Sequence, residues 1–222
     1  MSIITPELPA SRSMEPFQYQ SSSAGRKIAA NSTLYRIAAA AGVGGALVLL
    51  VNAAKRSAII ATTDLTQLLA PLAEIMALGL VTGLFFAFGR RAGLSGAIAF
   101  ALHFVSLASL EGVEVVINLV FSKLPMETVA ALIGGPLGLV LTISSLLFLI
   151  STLAFVTALA IGNALPRQPL ALYCLGALPI ALRAFVPELA LDLGLVTLAV
   201  GVMWLSRLLW SHTFLPSNGS AA

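Results

Sequence analysis

Of the chain's 222 residues, 59% are hydrophobic and only 9% are charged, whereas a soluble domain carries roughly 25% charged residues. So little charge cannot enclose so much apolar surface in water. Lipid removes that requirement, so the composition excludes a soluble globular domain. The net charge of +3 contains no Lys/Arg block longer than a pair, so it is no nucleic-acid footprint, and the expected environment is the lipid bilayer.

Residues 1–30 are polar and broken by Pro6, Pro9 and Pro16. They lack an apolar period and read as a disordered tail. The first span runs from about Leu34 to Asn52 and ends on Lys55 and Arg56. Its small residues recur every fourth position, at Ala38, Gly42 and Ala46 and again at Ala41 and Gly45. Such stripes let helices approach closely in lipid, which offers span one as a surface for a helix–helix partner. The second span, about Gln67 to Gly89, closes on Arg90-Arg91 and repeats the small spacing at Gly79 and Gly83. The third, about Gly93 to Phe121, is stopped by Lys123-Leu124-Pro125.

The apolar run from Ala130 to Gly162 exceeds the ~20 residues of one straight crossing. Gly134-Gly135-Pro136 supplies a break. Proline suits a helix's first turn, so the fourth span starts near Pro136, preceded by a short surface helix. Asn163 and Pro166-Arg167 end it. The fifth span covers Leu170 to Val186, with a kink expected at Pro179 and a stop at Pro187; the sixth covers Glu188 to Trp210. The expected fold is an all-α polytopic bundle of about six spans over residues 31–212, followed by a short polar tail over 213–222. The single cysteine, Cys174, lies in an apolar run and reads as a small buried hydrophobe.

With six spans and a cytoplasmic N-terminus, Arg12, Arg26, Lys27, Arg36, Arg90, Arg91, Arg167 and Arg207 fall inside, and Lys55, Arg56, Lys123 and Arg183 fall outside. This bias orients both termini to the cytoplasm.

Three short features carry a resemblance: Leu34-Tyr35-Arg36-Ile37-Ala38 at the entry to span one, the arginine pair after span two, and Leu165-Pro166-Arg167 followed by Leu175-Gly176. Over roughly residues 33–210 the chain resembles a group of bacterial six-span membrane proteins classed only as a domain of unknown function. The resemblance implies a fold, and a place in the bacterial inner membrane, rather than an activity.

Ionisable groups inside a bilayer cost about 2.5–3.5 kcal/mol on insertion scales, so their presence needs a reason. Span three holds His103, Glu111, Glu114 and Asn118. At about 100° per residue, the last three lie about 80°, 20° and 60° from His103, so all four fit one face. Helix rise places Glu111, Glu114, Glu74 and Arg183 about 6–10 Å outside the midplane, on the side where Glu188 and Asp192 begin span six. Counted this way, five carboxylates face one cation, Arg183, and the outer half becomes a candidate binding site. Glu188 and Asp192 also suit a helix N-terminus, and Arg183 also suits snorkelling to the surface.

Glu111 and Glu114 could hold an ion together, but His103 is about 16 Å from Glu114 along the axis, and no metal site is assigned. Aromatic content of 7% argues against a pocket for a planar cofactor, and none is expected. Three functions remain open. The first is a binder or carrier of a small cation or proton-coupled solute. The second is an intramembrane enzyme acting on a lipid or prenyl substrate, with Glu111 or Glu114 as general acid. The third is a non-catalytic subunit. A narrow cavity at the carboxylates favours the first, a lipid-sized slot the second and a filled bundle the third.

Overall fold

A computed structural model of the chain describes residues 17–162 and 165–212, with side chains described from Ser32 onward. Within these, eight α-helices follow one another and no strand occurs: α1 (Phe17–Arg56), α2 (Asp64–Leu69), α3 (Leu72–Ala87), α4 (Gly93–Val115), α5 (Met126–Ile133), α6 (Pro136–Ile161), α7 (Arg167–Ala181) and α8 (Glu188–His212). The all-α class is as expected. The backbone divides into Met1–Thr33 and Leu34–Ala222. Of the polar tail read over 1–30, residues 1–16 lie outside the described residues, and from Phe17 the backbone is helical. The tail over 213–222 and the stop at Asn163 also lie outside them.

Five segments are long and apolar enough to cross a bilayer: Ser32–Arg56, Asp64–Ala87, Gly89–Lys123, Pro136–Ile161 and Glu188–His212. Their outward faces carry exposed Leu94, Ile98, Leu102, Ile143, Ile150 and Leu153, side chains that suit lipid and would be unfavourable in water. α7 departs from expectation. Its 15 residues rise only about 22 Å, less than the ~30 Å hydrocarbon core. It ends at Ala181 rather than Val186, because the chain turns there and carries Arg183 to Glu114. Its N-terminal start at Arg167 and its internal Pro179 lie close to where the sequence put them.

The second span is also interrupted. Proline has no N–H to continue the ladder, and Pro71 separates α2 from α3. α2 starts on a reciprocal cap: Thr63 Oγ1 accepts from the Thr66 amide at 3.2 Å, and Thr66 Oγ1 accepts from the Thr63 amide at 2.9 Å. The third span continues past α4 through one π-helical turn, Val116–Val120, and a 3-10 turn, Phe121–Lys123. Pro136 opens α6 at its first position, and α5 is the short helix expected before it.

Glycine sets the closest contacts. A Cβ on Gly176 would collide with the Leu198 backbone, one on Gly201 would lie 2.7 Å from the Tyr173 amide nitrogen, and one on Gly194 would lie 2.9 Å from Pro179. As the number rises on one helix it falls on the other, so α7 and α8 run antiparallel at backbone contact. The small residues of span one are used within the chain. Gly42 faces Ser206 and Leu80, Gly45 faces Met76 and Ala73, and Ala38 faces Gly83. That stripe is occupied by α3 and α8, so it is not held open for a second chain, and it gives no support to an outside helix partner.

Charge separates the two ends of the bundle. At one end Tyr35 donates to the Phe86 carbonyl at 3.4 Å, the His212 ring meets Tyr35 and Phe88 edge-on, and Arg36 lies over Trp210. At the other end meet the end of α1, the turns after α4, the turn after α7 and the start of α8, and there the paired carboxylates Asp64, Glu114, Glu188 and Asp192 lie. Replacing Gly176 with Leu should separate α7 from α8 and destabilise the protein by about 1–3 kcal/mol, read as a lower thermal midpoint in detergent. Gly112, where a Cβ meets nothing within 4 Å, should accept Ala with no loss, since Ala is the better helix former.

Candidate functional site

The carboxylate-bearing end is built from side chains delivered by four helices. Arg183, in the turn after α7, donates to Glu114 Oε1 at 2.7 Å. Asn118 donates to Glu114 Oε2 at 2.8 Å and to the Glu114 carbonyl at 3.0 Å. Lys55, at the end of α1, donates to Asn118 Oδ1 at 2.9 Å. Arg183, Glu114, Asn118 and Lys55 therefore form one chain of hydrogen bonds through half-buried groups. Beside it Arg56 pairs with Glu188 and, at 3.4 Å, with Asp192, while Ser57 donates to Asp192 Oδ2 at 2.8 Å. Lys123 pairs with Asp64 at 2.6 Å on the exposed rim.

This network corrects the charge count. Arg183 is not the single cation among the carboxylates, because Lys55, Arg56 and Lys123 close the same end. The sequence reading left them at span ends as topology signals and missed that those ends converge. Glu188 and Asp192 begin α8 as expected, and they also bind Arg56.

The site residues separate into three groups. Glu114, Asn118 and Arg183 are engaged with one another, and both Glu114 carboxylate oxygens have donors. Glu111 is half-buried one residue beyond the buried Leu110, with no hydrogen bond or ion pair among the described residues, and it does not line the cavity described below. His103 is fully buried and lies deeper, between α6 and α7. Its Nε2 is 2.9 Å from the Tyr173 hydroxyl and its Nδ1 3.1 Å from Ser151 Oγ, with Ser106 Oγ 2.6 Å from Ser151 Oγ. The ring stacks near Phe155 and Phe148 at 5.1 and 6.0 Å. His103 is thus a helix–helix hydrogen-bonding group that reaches the cavity only through Tyr173.

Glu74 is the remaining group. A cavity of about 100 Å³ runs inward from Lys55, Arg56, Asn118 and Arg183, past Glu74, Asn52 and Tyr173, to apolar walls from α4 and α8. Its mouth is polar and its depth is formed by side chains such as Leu107, Leu195 and Leu198. Glu74 Oε2 is buried there with no protein partner, and so is Asn52 Oδ1. Arg56 Nε and Asp192 Oδ1 are also without a hydrogen bond, but they face each other as an ion pair. An ionised carboxylate out of water and without a donor is unfavourable by several kcal/mol. Glu74 therefore needs water, a proton or a cation from the cavity, which has space for a few waters.

Asn52 and Tyr173 were missed by the sequence reading. Asn52 served there only as the end of span one. Tyr173 offered a usable signal, since a tyrosine hydroxyl within an apolar helix has to find a partner. No group of three or more His, Cys, Asp or Glu side chains is arranged to hold a metal ion among the described residues. A second concavity, a groove between α1 and α8 lined by Ala39, Val43, Met203 and Trp204, contains no carboxylate.

The fold and this interior define a multi-pass helical membrane protein with a cavity, polar at its mouth and apolar in its depth, at one end of its bundle. No protein-family model, curated protein or solved structure matches the chain.

The central pair can be tested by a double-mutant cycle. Arg183→Met alone leaves Glu114 without its cation and should destabilise the protein by roughly 1–3 kcal/mol; the pair is partly exposed, so the full 3–5 kcal/mol of a buried pair does not apply. Adding Glu114→Leu should restore much of the loss, measured as thermal midpoints. Additive losses would show that the two side chains do not act together.

Proposed function

We propose that the protein binds or carries a small cation or a proton-coupled solute, with Glu74 as the accepting carboxylate. The observation that carries this reading is the unpartnered Glu74 Oε2 in a narrow cavity. Glu114 holds the wall together, because its charge is already matched by Arg183. The lipid-substrate enzyme lacks comparable support. The groove on the lipid side brings neither Glu111 nor Glu114 to its surface, and the cavity beside Glu114 is smaller than an acyl or prenyl chain needs. A filled, non-catalytic bundle is the weaker reading for the same reason: the interior at Glu74 is not filled.

We further place α7 as a sixth crossing, completed by the turn over residues 182–187, with both termini cytoplasmic in a bacterial inner membrane. Support comes from the antiparallel contact of α7 with α8 and from the arginines and aromatic rings gathered at one end. Aromatic rings mark a membrane interface on either side, and an excess of arginine marks the cytoplasmic one.

Two experiments check these readings. The purified full chain in detergent should gain thermal stability, saturably, from at least one member of a panel of monovalent cations and small amines, and Glu74→Gln should abolish the gain. A parent protein indifferent to the whole panel would remove the binding proposal. For orientation, an impermeant maleimide applied outside should label a cysteine placed at Ser57 or Lys123 in a Cys174→Ser background and miss one at Arg90. The opposite pattern inverts the topology.

A further inference from the structure

Resting on the reading of Glu74 as the accepting group, we infer that the ligand is a small primary ammonium ion with an apolar body. The argument counts hydrogen-bond donors and acceptors. One assignment of hydrogens satisfies every donor around His103. The Tyr173 hydroxyl donates to Nε2 at 2.9 Å and Nδ1–H donates to Ser151 Oγ at 3.1 Å. Ser151 donates to the Phe148 carbonyl at 3.1 Å, and Ser106 shares its hydrogen between Ser151 Oγ at 2.6 Å and the His103 carbonyl at 2.8 Å. With the other histidine tautomer Nδ1 would accept either from Ser151, which then leaves the Phe148 carbonyl, or from Ser106 at a long 3.5 Å, so the first assignment keeps more of the short contacts.

In this arrangement the hydrogen of the Tyr173 hydroxyl is committed to His103, and its oxygen lone pairs remain. Tyr173 lines the cavity with Glu74 and Asn52. The residues lining the cavity therefore carry three oxygens with lone pairs to offer, Tyr173 Oη, Glu74 Oε2 and Asn52 Oδ1, alongside the Asn52 amide N–H. The cations at its mouth each have an acceptor outside the cavity's depth: Lys55 donates to Asn118, Arg183 to Glu114, and Arg56 pairs with Glu188 and Asp192. A head group that complements these three oxygens must donate to them, and must be positive to match Glu74. A primary ammonium has three N–H donors and one positive charge, as a lysine head does.

The rest of the wall selects the body. Beyond the three oxygens stand Leu107, Leu195, Leu198, Val202 and Phe148. A bare alkali cation prefers oxygens around it and would leave these apolar walls without a partner, whereas an alkyl chain fills them. The volume of about 100 Å³ lies below the ~150 Å³ that admits benzene, so the alkyl chain is short. A quaternary ammonium has no N–H to give, and it is recognised by aromatic cages, which Phe148 and Tyr173 alone do not make.

The test uses the full chain in detergent, with binding read by calorimetry and by thermal midpoint at constant ionic strength. The probes are n-butylammonium, trimethylpropylammonium and potassium. n-Butylammonium should bind saturably and the quaternary ion should not. Glu74→Gln and Asn52→Leu should each weaken binding by roughly ten- to a hundredfold, the range for a hydrogen bond to a charged group. Each variant's midpoint without probe reports whether it folds as the parent does, and Asn52→Leu removes an acceptor without touching the charge. Potassium binding that depends on Glu74, with no butylammonium binding, would overturn the ammonium inference and leave the cation reading standing. Equal binding of the quaternary ion would overturn the donor count. Butylammonium binding unchanged in both variants would place it elsewhere and also overturn the inference. If none of the probes bound the folded parent, the ammonium inference and the cation reading would fall together.

Discussion

Arg183 meets Glu114 at 2.7 Å, and the arrangement of the whole polar end follows from having to shelter that pair. Neither group can face hydrocarbon without a cost of several kcal/mol. The turn after α7 must therefore lie against α4, and α7 must stop early enough to let the chain bend back. Asn118 occupies the second oxygen of Glu114, and Lys55 occupies Asn118, so the end of α1 is drawn into the same contact. The charges that open the site are thus also the reason that four helix ends meet.

The opposite requirement operates along the helices. Lipid offers no hydrophobic drive for helices to associate, so contact has to come from shape. Gly176, Gly194 and Gly201 bring α7 and α8 to backbone contact, and Gly42 lets α1 settle against Ser206 and Leu80. A 15-residue helix is a poor membrane element alone; against α8 it becomes part of the packed interior, with Ala177 and Leu170 almost completely buried. The cavity remains where this close packing gives way, between the glycine-rich middle and the ion-paired end.

How much of this is legible in the sequence depends on whether the signal is local. The start of α6 follows from Pro136, and the helical class follows from composition, because proline chemistry and hydropathy need no knowledge of neighbours. The inward turn of Glu114, Asn118 and His103 follows from helical periodicity and energy. What periodicity cannot supply is which helix end meets which. Lys55 and Arg56 are far in sequence from Asn118 and Glu188, so the balance of charge at the polar end became visible only with the fold. The same limit displaced the weight from Glu111 to Glu74. Glu74 lies on α3 and Glu111 on α4, and how those helices pack decides which carboxylate lines the cavity.

The π-helical turn at Val116–Val120 has a consequence for how the chain can vary. Such a turn fits one extra residue into a helix without breaking it. Asn118 sits inside it, joined on one side to Glu114 and on the other to Lys55. Deleting one residue there would let an ordinary helix re-form, and every later position would swing by about 100°. The asparagine would leave both partners, and the start of the following loop would point elsewhere. Length within those five residues is therefore more tightly constrained than their identity: Val116, Ile117, Leu119 and Val120 can exchange for other apolar side chains, but their number cannot change.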